Sequence, residues 1–590
     1  MNPNRARWRA VHAQLRGRLL AAREGQAFWL GRLADSALAT ATAVAALAAA
    51  RRADDADAIA RGLAWLARTQ NADGGWGDTP QSPSNLPTSL LVLAAHKLAR
   101  KMPPPAGVAY VDVRGGEGAI SGLYGADRTF SVPILTCCAI AGLVDWSAVE
   151  PLPMELAALP RRLFPLLGLP VVSYALPALI AMGLVRHARL PSANPLVRLV
   201  RSAVTPTVLH RLETLQPAGG GFLEAVPLTA FVAMSLVAAG QREHPVVRDG
   251  LEFLRRNVRA EGCWPIDSNL SIWNTTLAIA ALAGGDEPAR DWLLDRQLQR
   301  RHLYTGAAPG GWGWSHLAGS VPDVDDTAGA LVALSYLPPG PRTAEAAQRG
   351  LVWLLDVQNR DGGWPTFCRG WGKLEFDRSG CDLTAHAIAA LASCQVAQAF
   401  SLWPAEGKRL SRRIQRACAA GGDFLCRHQR ADGSWLPLWF GSQKTADQTN
   451  PVFGTARVLR HLRVAEEQGE AMARQPAIRA AVARAIAYLH NAAHAEGGWG
   501  AAAGVEPTVE ETAAVVEALA GRPGLEQEGS IARAVDWLCD RVEAGQLDCP
   551  SPIGLYFARL WYHERLYPLT LAVAALRQAT AAAPTVREDE

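Results

Sequence analysis

The feature that most constrains this chain is a repeated segment of the form Gln-x-x-x-Gly-x-Trp preceded by a helical pattern. Ala64-Trp65-Leu66-Ala67-Arg68-Thr69-Gln70-Asn71-Ala72-Asp73-Gly74-Gly75-Trp76 returns as Val352 to Trp364, with Gln358, Gly362 and Gly363 in register. It returns again as Phe424 to Trp435, around Gln429 and Gly433. Weaker copies end at Phe222, Trp264 and Trp499, and Trp312 closes a longer variant. Each copy runs on into a helix with a recurring start: Thr275-Thr276-Leu277, Asp326-Thr327-Ala328, Leu383-Thr384-Ala385, Gly454-Thr455-Ala456 and Glu511-Thr512-Ala513. Ala, Leu and Val follow at helical spacing.

A fixed period of this kind means stacked units that bury their apolar faces only against one another. The glycine lets the chain turn sharply after a helix. The tryptophan packs on the glutamine amide, whose hydrogen bonds tie it to the next helix, so these tryptophans read as staples. Paired-helix units curl into a solenoid or close into a double-layered α/α barrel, and the repeats alone leave that choice open.

One stretch has more chemistry than a staple needs. In Pro322-Asp323-Val324-Asp325-Asp326-Thr327-Ala328, three carboxylates fall within four positions, just before an apolar helical run. Asp326 or Thr327 is the expected N-cap, which uses one acceptor and leaves two carboxylates over. Like charges this close cannot all ionise cheaply in a low-dielectric pocket, so a proton should be retained, ready for donation. A solvated acidic turn or a metal site is the competing reading. Gly310-Gly311-Trp312-Gly313-Trp314 lies immediately upstream.

Asp-Val-Asp-Asp-Thr-Ala, preceded by Gly-Gly-Trp and set among these repeats, resembles the squalene–hopene cyclase family of class II terpene cyclases. The resemblance implies an all-α fold of two α/α barrels with the active cavity between them. It places residues 281–590 in the barrel carrying the acid motif and 31–280 in the second barrel. A helical segment, 1–30, is expected to pack across both.

The resemblance also assigns roles. The middle aspartate of the motif, here Asp325, is the family's proton donor, and Asp323 and Asp326 match its flanking carboxylates. A second segment, Asp382-Leu383-Thr384-Ala385-His386, matches the family's Asp-x-Thr-Ala-His. His386 then hydrogen-bonds the donor, with Asp382 behind it. Protonating an isolated alkene needs a strong acid, and a hydrogen bond to the conjugate base supplies strength. The carbocation that follows needs walls that stabilise charge without attacking it, which aromatic faces do. Trp312, Trp314, Trp273, Phe367 and Trp439 match positions where the family places such rings, Trp312 being also a repeat staple. No cofactor and no metal are implied.

Composition narrows the partners. Net charge is +4 from 59 basic and 55 acidic residues, too balanced for a nucleic-acid footprint. The ten cysteines contain no Cys-x-x-Cys pair and read as reduced, mostly buried thiols. Arg16, Arg18 and Arg23 interrupt the N-terminal segment, so no signal peptide is expected and the chain is placed on the cytoplasmic side. Leu163 to Val185 has no formal charge, but Pro165, Pro170 and Pro177 argue against one spanning helix. Arg161, Arg162, Arg186, His187 and Arg189 flank it. That pattern suits either a monotopic contact with anionic lipid or a core helix of the second barrel. The resemblance favours the membrane, because cyclases of this family take an insoluble isoprenoid from the bilayer.

Departures from the family matter too. Val452-Phe453-Gly454-Thr455 stands where the family has Leu-Tyr-Gly-Thr, so a hydroxyl linked to recharging the acid is missing. Gly554 to Tyr562 replaces a phenylalanine-rich segment, and Gly441 to Asn450 reads as an insertion at the cavity edge. The expected reaction is protonation-initiated cyclisation of a linear polyprene such as squalene, with a hopene-like product. Two alternatives stand beside it: a cyclase of another isoprenoid (a prenyl diphosphate or a tetraprenyl chain), and a non-catalytic α/α toroid used as a binding scaffold. Oligomeric state is open, a homodimer included.

Overall fold

The staples close in one way throughout. In the computed structural model, Gln358 Nε2 donates to Gly362 O at 2.7 Å and to Ala417 O of the next outer helix at 3.0 Å. Gln429 repeats this with Gly433 O and Ala481 O, both at 2.8 Å. The indole N–H of each tryptophan returns to the carbonyl of the helix it ends: Trp76 to Leu66, Trp364 to Leu354, Trp435 to Leu425. The recurring threonine has a structural job. Its hydroxyl accepts the backbone N–H of the tryptophan, as in Trp312–Thr327, Trp364–Thr384, Trp435–Thr455 and Trp499–Thr512. A buried amide that the turn would orphan is thereby satisfied. Gly362 sits at φ +92°, and a Cβ there would lie 2.4 Å from Ala420 O, so no side chain fits.

The structure describes residues 4–124, 128–160, 176–302, 306–367, 377–397, 404–522, 529–548, 550–551, 553–555 and 560–581. The fold is mostly helical and has two barrels. In the C-terminal barrel the inner helices Ser271–Leu282, Val324–Ser335, Cys381–Ala397, Pro451–Glu467, Val509–Leu519 and Leu566–Ala581 pack each on the next, and the last returns to the first. In the N-terminal barrel, among the described residues, the inner helices are Ala37–Ala50, Leu86–Leu98, Arg128–Ile140, Leu176–Arg189 and Val226–Ala238, closed in the same way. Inner helices such as Ala37–Ala50 and Val226–Ala238 are apolar all round, because one face meets the ring neighbours and the other the outer layer. Amphipathic helices such as Pro245–Arg256 and Ala56–Arg68 form the outer layer, burying one stripe.

Three expectations shift. Ser271–Leu282 completes the C-terminal ring, so that barrel takes up residues from about 271 rather than 281. The helix Arg5–Ala21 does not pack across both barrels. It lies on Leu566–Ala581 and Gly529–Glu543 of the C-terminal barrel, burying Trp8, Val11, Leu15 and Leu19. The N-cap of Val324–Ser335 is Asp323, whose carboxylate accepts the Asp326 N–H at 2.8 Å.

The barrels are joined by short pieces from both ends of the chain. Ile553–Leu555 and Leu560–Tyr562 form an antiparallel pair, with Gly554 opposite Trp561. Asp78 of the N-terminal barrel accepts the Trp561 N–H at 2.8 Å, and Glu564 accepts the Arg32 N–H at 2.7 Å. This strap carries Tyr562 to the seam, where it packs against both cores.

Of the apolar segment 163–185, residues 163–175 lie outside the described residues. The rest, in Leu176–Arg189, buries Leu176, Ile180, Ala181, Met182, Leu184 and Val185 in the N-terminal barrel, so this part is core. Among the described residues no helix is long and apolar enough to cross a membrane.

Candidate active site

The starts of the C-terminal inner helices face the seam, and the repeat threonines set a common register there. Two residues before each threonine stand Trp273, Asp325, Asp382, Phe453 and Glu510. Two residues after stand His386 and Arg457, one turn deeper. The polar site is therefore assembled from repeat-equivalent positions on neighbouring helices.

Of the three motif carboxyls, Asp325 keeps accessible side-chain surface, 14%, although protein encloses it; Asp323 and Asp326 are buried. His386 Nδ1 lies 2.5 Å from Asp325 Oδ1. Arg457 Nη2 lies 3.3 and 3.4 Å from the two Asp325 oxygens. Burial alone would raise the Asp325 pKa, but Arg457 and then His386 outweigh it and hold it below the usual carboxylate range. The flanking pair goes the other way. Burial pushes Asp323 up to about 7, and burial together with the Asp323 charge pushes Asp326 well above its ordinary value. The flanking pair is thus pushed towards the protonated form, while Asp325 is the strongest acid of the three.

Asp382 does not stand behind His386 as expected. Both its oxygens accept the Leu438 N–H, at 3.2 Å, which fixes the loop below Trp435. Burial raises its pKa to about 6. The group against His386 is His461, with ring centroids 4.2 Å apart. Arg460 Nη1 donates to His461 Nε2 at 3.0 Å, and Arg460 pairs with Glu517 at 2.7 Å.

Trp314, Phe367 and Trp439 form one aromatic surface at the seam: Trp314–Phe367 and Phe367–Trp439 centroids are both 6.2 Å apart. Trp273 and Phe440 flank the Arg457 guanidinium, each at 5.5 Å. Trp312 is corrected. It is completely buried, donates to Leu293 O at 2.9 Å, and is a staple with no face at the site. Phe453 packs on Phe440 at 5.0 Å and brings no hydroxyl. The loop Gly441 to Asn450 ends on Asn450, which caps Pro451–Glu467 and donates to Glu511 at 2.8 Å.

Sequence reasoning missed Arg457, His461, Phe440 and Tyr562. For Arg457 a signal existed: it follows Thr455 by the interval at which His386 follows Thr384. Among the described residues no cluster of His, Cys, Asp and Glu has the arrangement of a metal site.

Two α/α barrels with an acid at the seam define a class II terpene cyclase fold. An ent-copalyl diphosphate synthase from Streptomyces platensis superposes over 98% of this chain and 99% of its own, with TM-score 0.58 and 21% identity. The Squalene-hopene cyclase N-terminal domain family matches residues 13–207 and the Squalene-hopene cyclase C-terminal domain family residues 268–506. The chain belongs to the squalene–hopene cyclase family. It is 25% identical to a probable squalene–hopene cyclase from Sinorhizobium fredii, over 86% of this chain and 87% of that one. It is also 27% identical to enfumafungin synthase efuA of Hormonema carpetanum over 84% of this chain, and spans only 42% of that protein's length.

Proposed function

We propose that this protein cyclises a linear polyprene by protonating a terminal alkene, with Asp325 as the donor. The observation that carries the reading is the accessible Asp325 carboxyl bonded to His386 and Arg457 while its neighbours stay buried. In the reaction the Asp325 O–H breaks as a C–H bond forms on the alkene. The carboxylate left behind is stabilised by Arg457 and His386, and a tertiary cation remains on the substrate. Neighbouring double bonds then close rings, with Trp314, Phe367 and Trp439 offering π faces to the moving charge, and the last cation is discharged either by losing a C–H proton to water, which gives a cyclic isomer, or by adding water and releasing its proton, which gives a hydrate. Asp323 caps the helix start that aims Asp325, and the raised pKa values of Asp323 and Asp326 oppose further negative charge at the site.

Squalene is the substrate we favour, as in the reaction named for the Sinorhizobium relative. The test is incubation with squalene, farnesyl diphosphate and geranylgeranyl diphosphate separately in detergent, followed by mass spectrometry of the products. A cyclic isomer or hydrate of squalene supports the reading. Turnover of a diphosphate alone moves it to the other isoprenoid class. No product from any of the three, with folded protein, rejects it.

The same reading places the protein on a membrane, at its cytoplasmic face. The outer helix Pro195–Leu215 supports this, since Leu196 and Leu199 are 70% and 68% exposed and Val200 and Leu190 are exposed beside them. Arg189 and Arg198 lie close to these residues along the chain, a pattern suited to anionic lipid.

A further inference from the structure

The acid has a counterpart on the other barrel's side of the seam. Asp267 lies between the staple tryptophan Trp264 and the inner helix Ser271–Leu282. Its segment is pinned to the N-terminal barrel: Ala225 and Asp267 form an antiparallel bridge, and the Val226 N–H donates to Ile266 O at 3.1 Å. Asp323, Asp326, Asp382, Glu224 and Glu510 are all buried. Asp325 and Asp267 differ from them, because each is enclosed by protein yet keeps accessible surface.

Glu224, whose charge acts on Asp267, is itself satisfied: Oε1 accepts the Gly319 N–H at 2.7 Å and Oε2 the Ser268 hydroxyl at 3.0 Å. Asp267 is not. Its Oδ1 is buried without a hydrogen-bond partner, and so is the indole nitrogen of Trp314. The two groups are neighbours, since the Trp314 N–H lowers the Asp267 pKa that burial and the Glu224 charge raise. Neither side chain is sealed, so water-sized space touches both. An orphaned acceptor beside an orphaned donor suits one bridging water. Trp314 is also one end of the Trp314–Phe367–Trp439 aromatic surface. Burial and then the charges of Asp267, Asp326 and Asp325, in that order, raise the pKa of Tyr562, so this ring on the strap has both open carboxyls within electrostatic reach.

A polyprene cation that has closed its rings must give up one proton, the counterpart of the one taken from Asp325. We propose that Asp267, through a water shared with Trp314, receives that proton and so decides which product forms. The water accepts from the Trp314 N–H and donates to Asp267 Oδ1, which leaves it a lone pair for the last cation. In elimination a C–H bond breaks to the water oxygen, its electron pair closes the C=C bond, and a water O–H proton passes to Asp267. In hydration an O–C bond forms and the O–H proton again passes to Asp267. Either way one proton enters the Asp267 carboxylate, matching the one that left Asp325, and exchange with solvent returns both carboxyls to their starting forms. A raised pKa makes ionised Asp267 a stronger base than a surface carboxylate, and a nearby cation favours that ionised form. This assignment rests on the cyclisation proposed above.

The test incubates the full chain in detergent with whichever of squalene, farnesyl diphosphate and geranylgeranyl diphosphate the wild type turns over, and gas chromatography with mass spectrometry resolves the cyclic products. The quantity read is the ratio of the main wild-type product to all other cyclic products, which loss of folded protein does not move. Asp267→Asn keeps the shape and loses the base, and Trp314→Phe keeps a ring and loses the N–H. Each is expected to lower that ratio at least ten-fold, and Asp267→Glu, which keeps a carboxyl, should lower it less than Asp267→Asn. A ratio within two-fold of wild type in folded Asp267→Asn would overturn the assignment. Should that variant not fold, the same result in Trp314→Phe would overturn it. Folded Asp267→Asn that consumes no substrate would place the residue before ring closure and overturn it too. Folded wild type that turns over none of the three would instead overturn the cyclisation reading itself.

Discussion

Arg457 reaches Asp325 from a helix that begins more than a hundred residues later, and its Nη2 lies within 3.4 Å of both carboxylate oxygens. This second cation beside the acid, with His386, decides its strength. Removing it should weaken the acid without disturbing substrate contacts. Arg457→Met, which keeps length and loses charge, should lower kcat roughly ten- to a hundred-fold, the equivalent of one charge-assisted bond of about 1.5–3 kcal/mol. KM should hold. A kcat within two-fold of wild type would mean that His386 alone supports the conjugate base.

Asp325→Asn replaces the carboxyl at nearly equal volume and cannot deliver a proton to an alkene. The variant should be folded by circular dichroism and give no cyclic product. His386→Ala keeps the donor and loses one partner of its conjugate base, so roughly ten- to a hundred-fold slower turnover is expected. Turnover by folded Asp325→Asn within a few-fold of wild type would reject protonation by this residue.

The staples should matter to stability rather than to chemistry. Trp435 is fully buried, so Trp435→Ala should destabilise by about 3–5 kcal/mol. Thr455→Val removes the acceptor of the Trp435 N–H and leaves a buried donor unpaired, for about 1–3 kcal/mol. Urea titration measures both. Lost turnover with unchanged stability would place Trp435 at the site instead.

Stability should fall as pH rises towards and through neutrality. Burial lifts Asp323, Glu510 and Glu564 to about 7 and Asp382 to about 6. The folded protein therefore binds more protons than the unfolded chain between about pH 4 and 7, and stability declines with pH across that window. Buried His461, held well below its ordinary value, and His563, at about 4, act oppositely below about pH 6.5, where the unfolded chain protonates first. The melting temperature should accordingly be higher at pH 6 than at pH 8. A melting temperature that climbs steadily from pH 6 to 8 would show that these carboxyls are ionised in the fold at no cost.

Vesicle binding tests the membrane patch. The protein should sediment with anionic vesicles, and the triple change Leu196→Ser, Leu199→Ser and Val200→Ser should release it with the fold intact. Equal recovery of wild type and variant in the supernatant would remove that surface from consideration.

Much of this was legible along the chain because it is local. A staple spans Gln429 to Trp435, and the carboxylate triad spans Asp323 to Asp326, so their spacing displays their chemistry directly. The pairing of Asp325 with His386 was foreseen through motif resemblance. The rest depended on which helices become neighbours once a ring closes. The N-cap went to Asp323 because the helix starts one residue after it, while Asp382 turned to the Leu438 N–H instead of His386. Trp312 and Trp314 differ by two positions, yet one is a sealed staple and the other faces Phe367 at the seam. Arg457 and His461 looked like ordinary helix residues, since their partners Asp325 and His386 lie on two other helices. Local spacing determines staples, turns and the acid motif; a charge becomes part of the site only when the closed barrel brings remote helices within a few ångströms and excludes the water that would screen it.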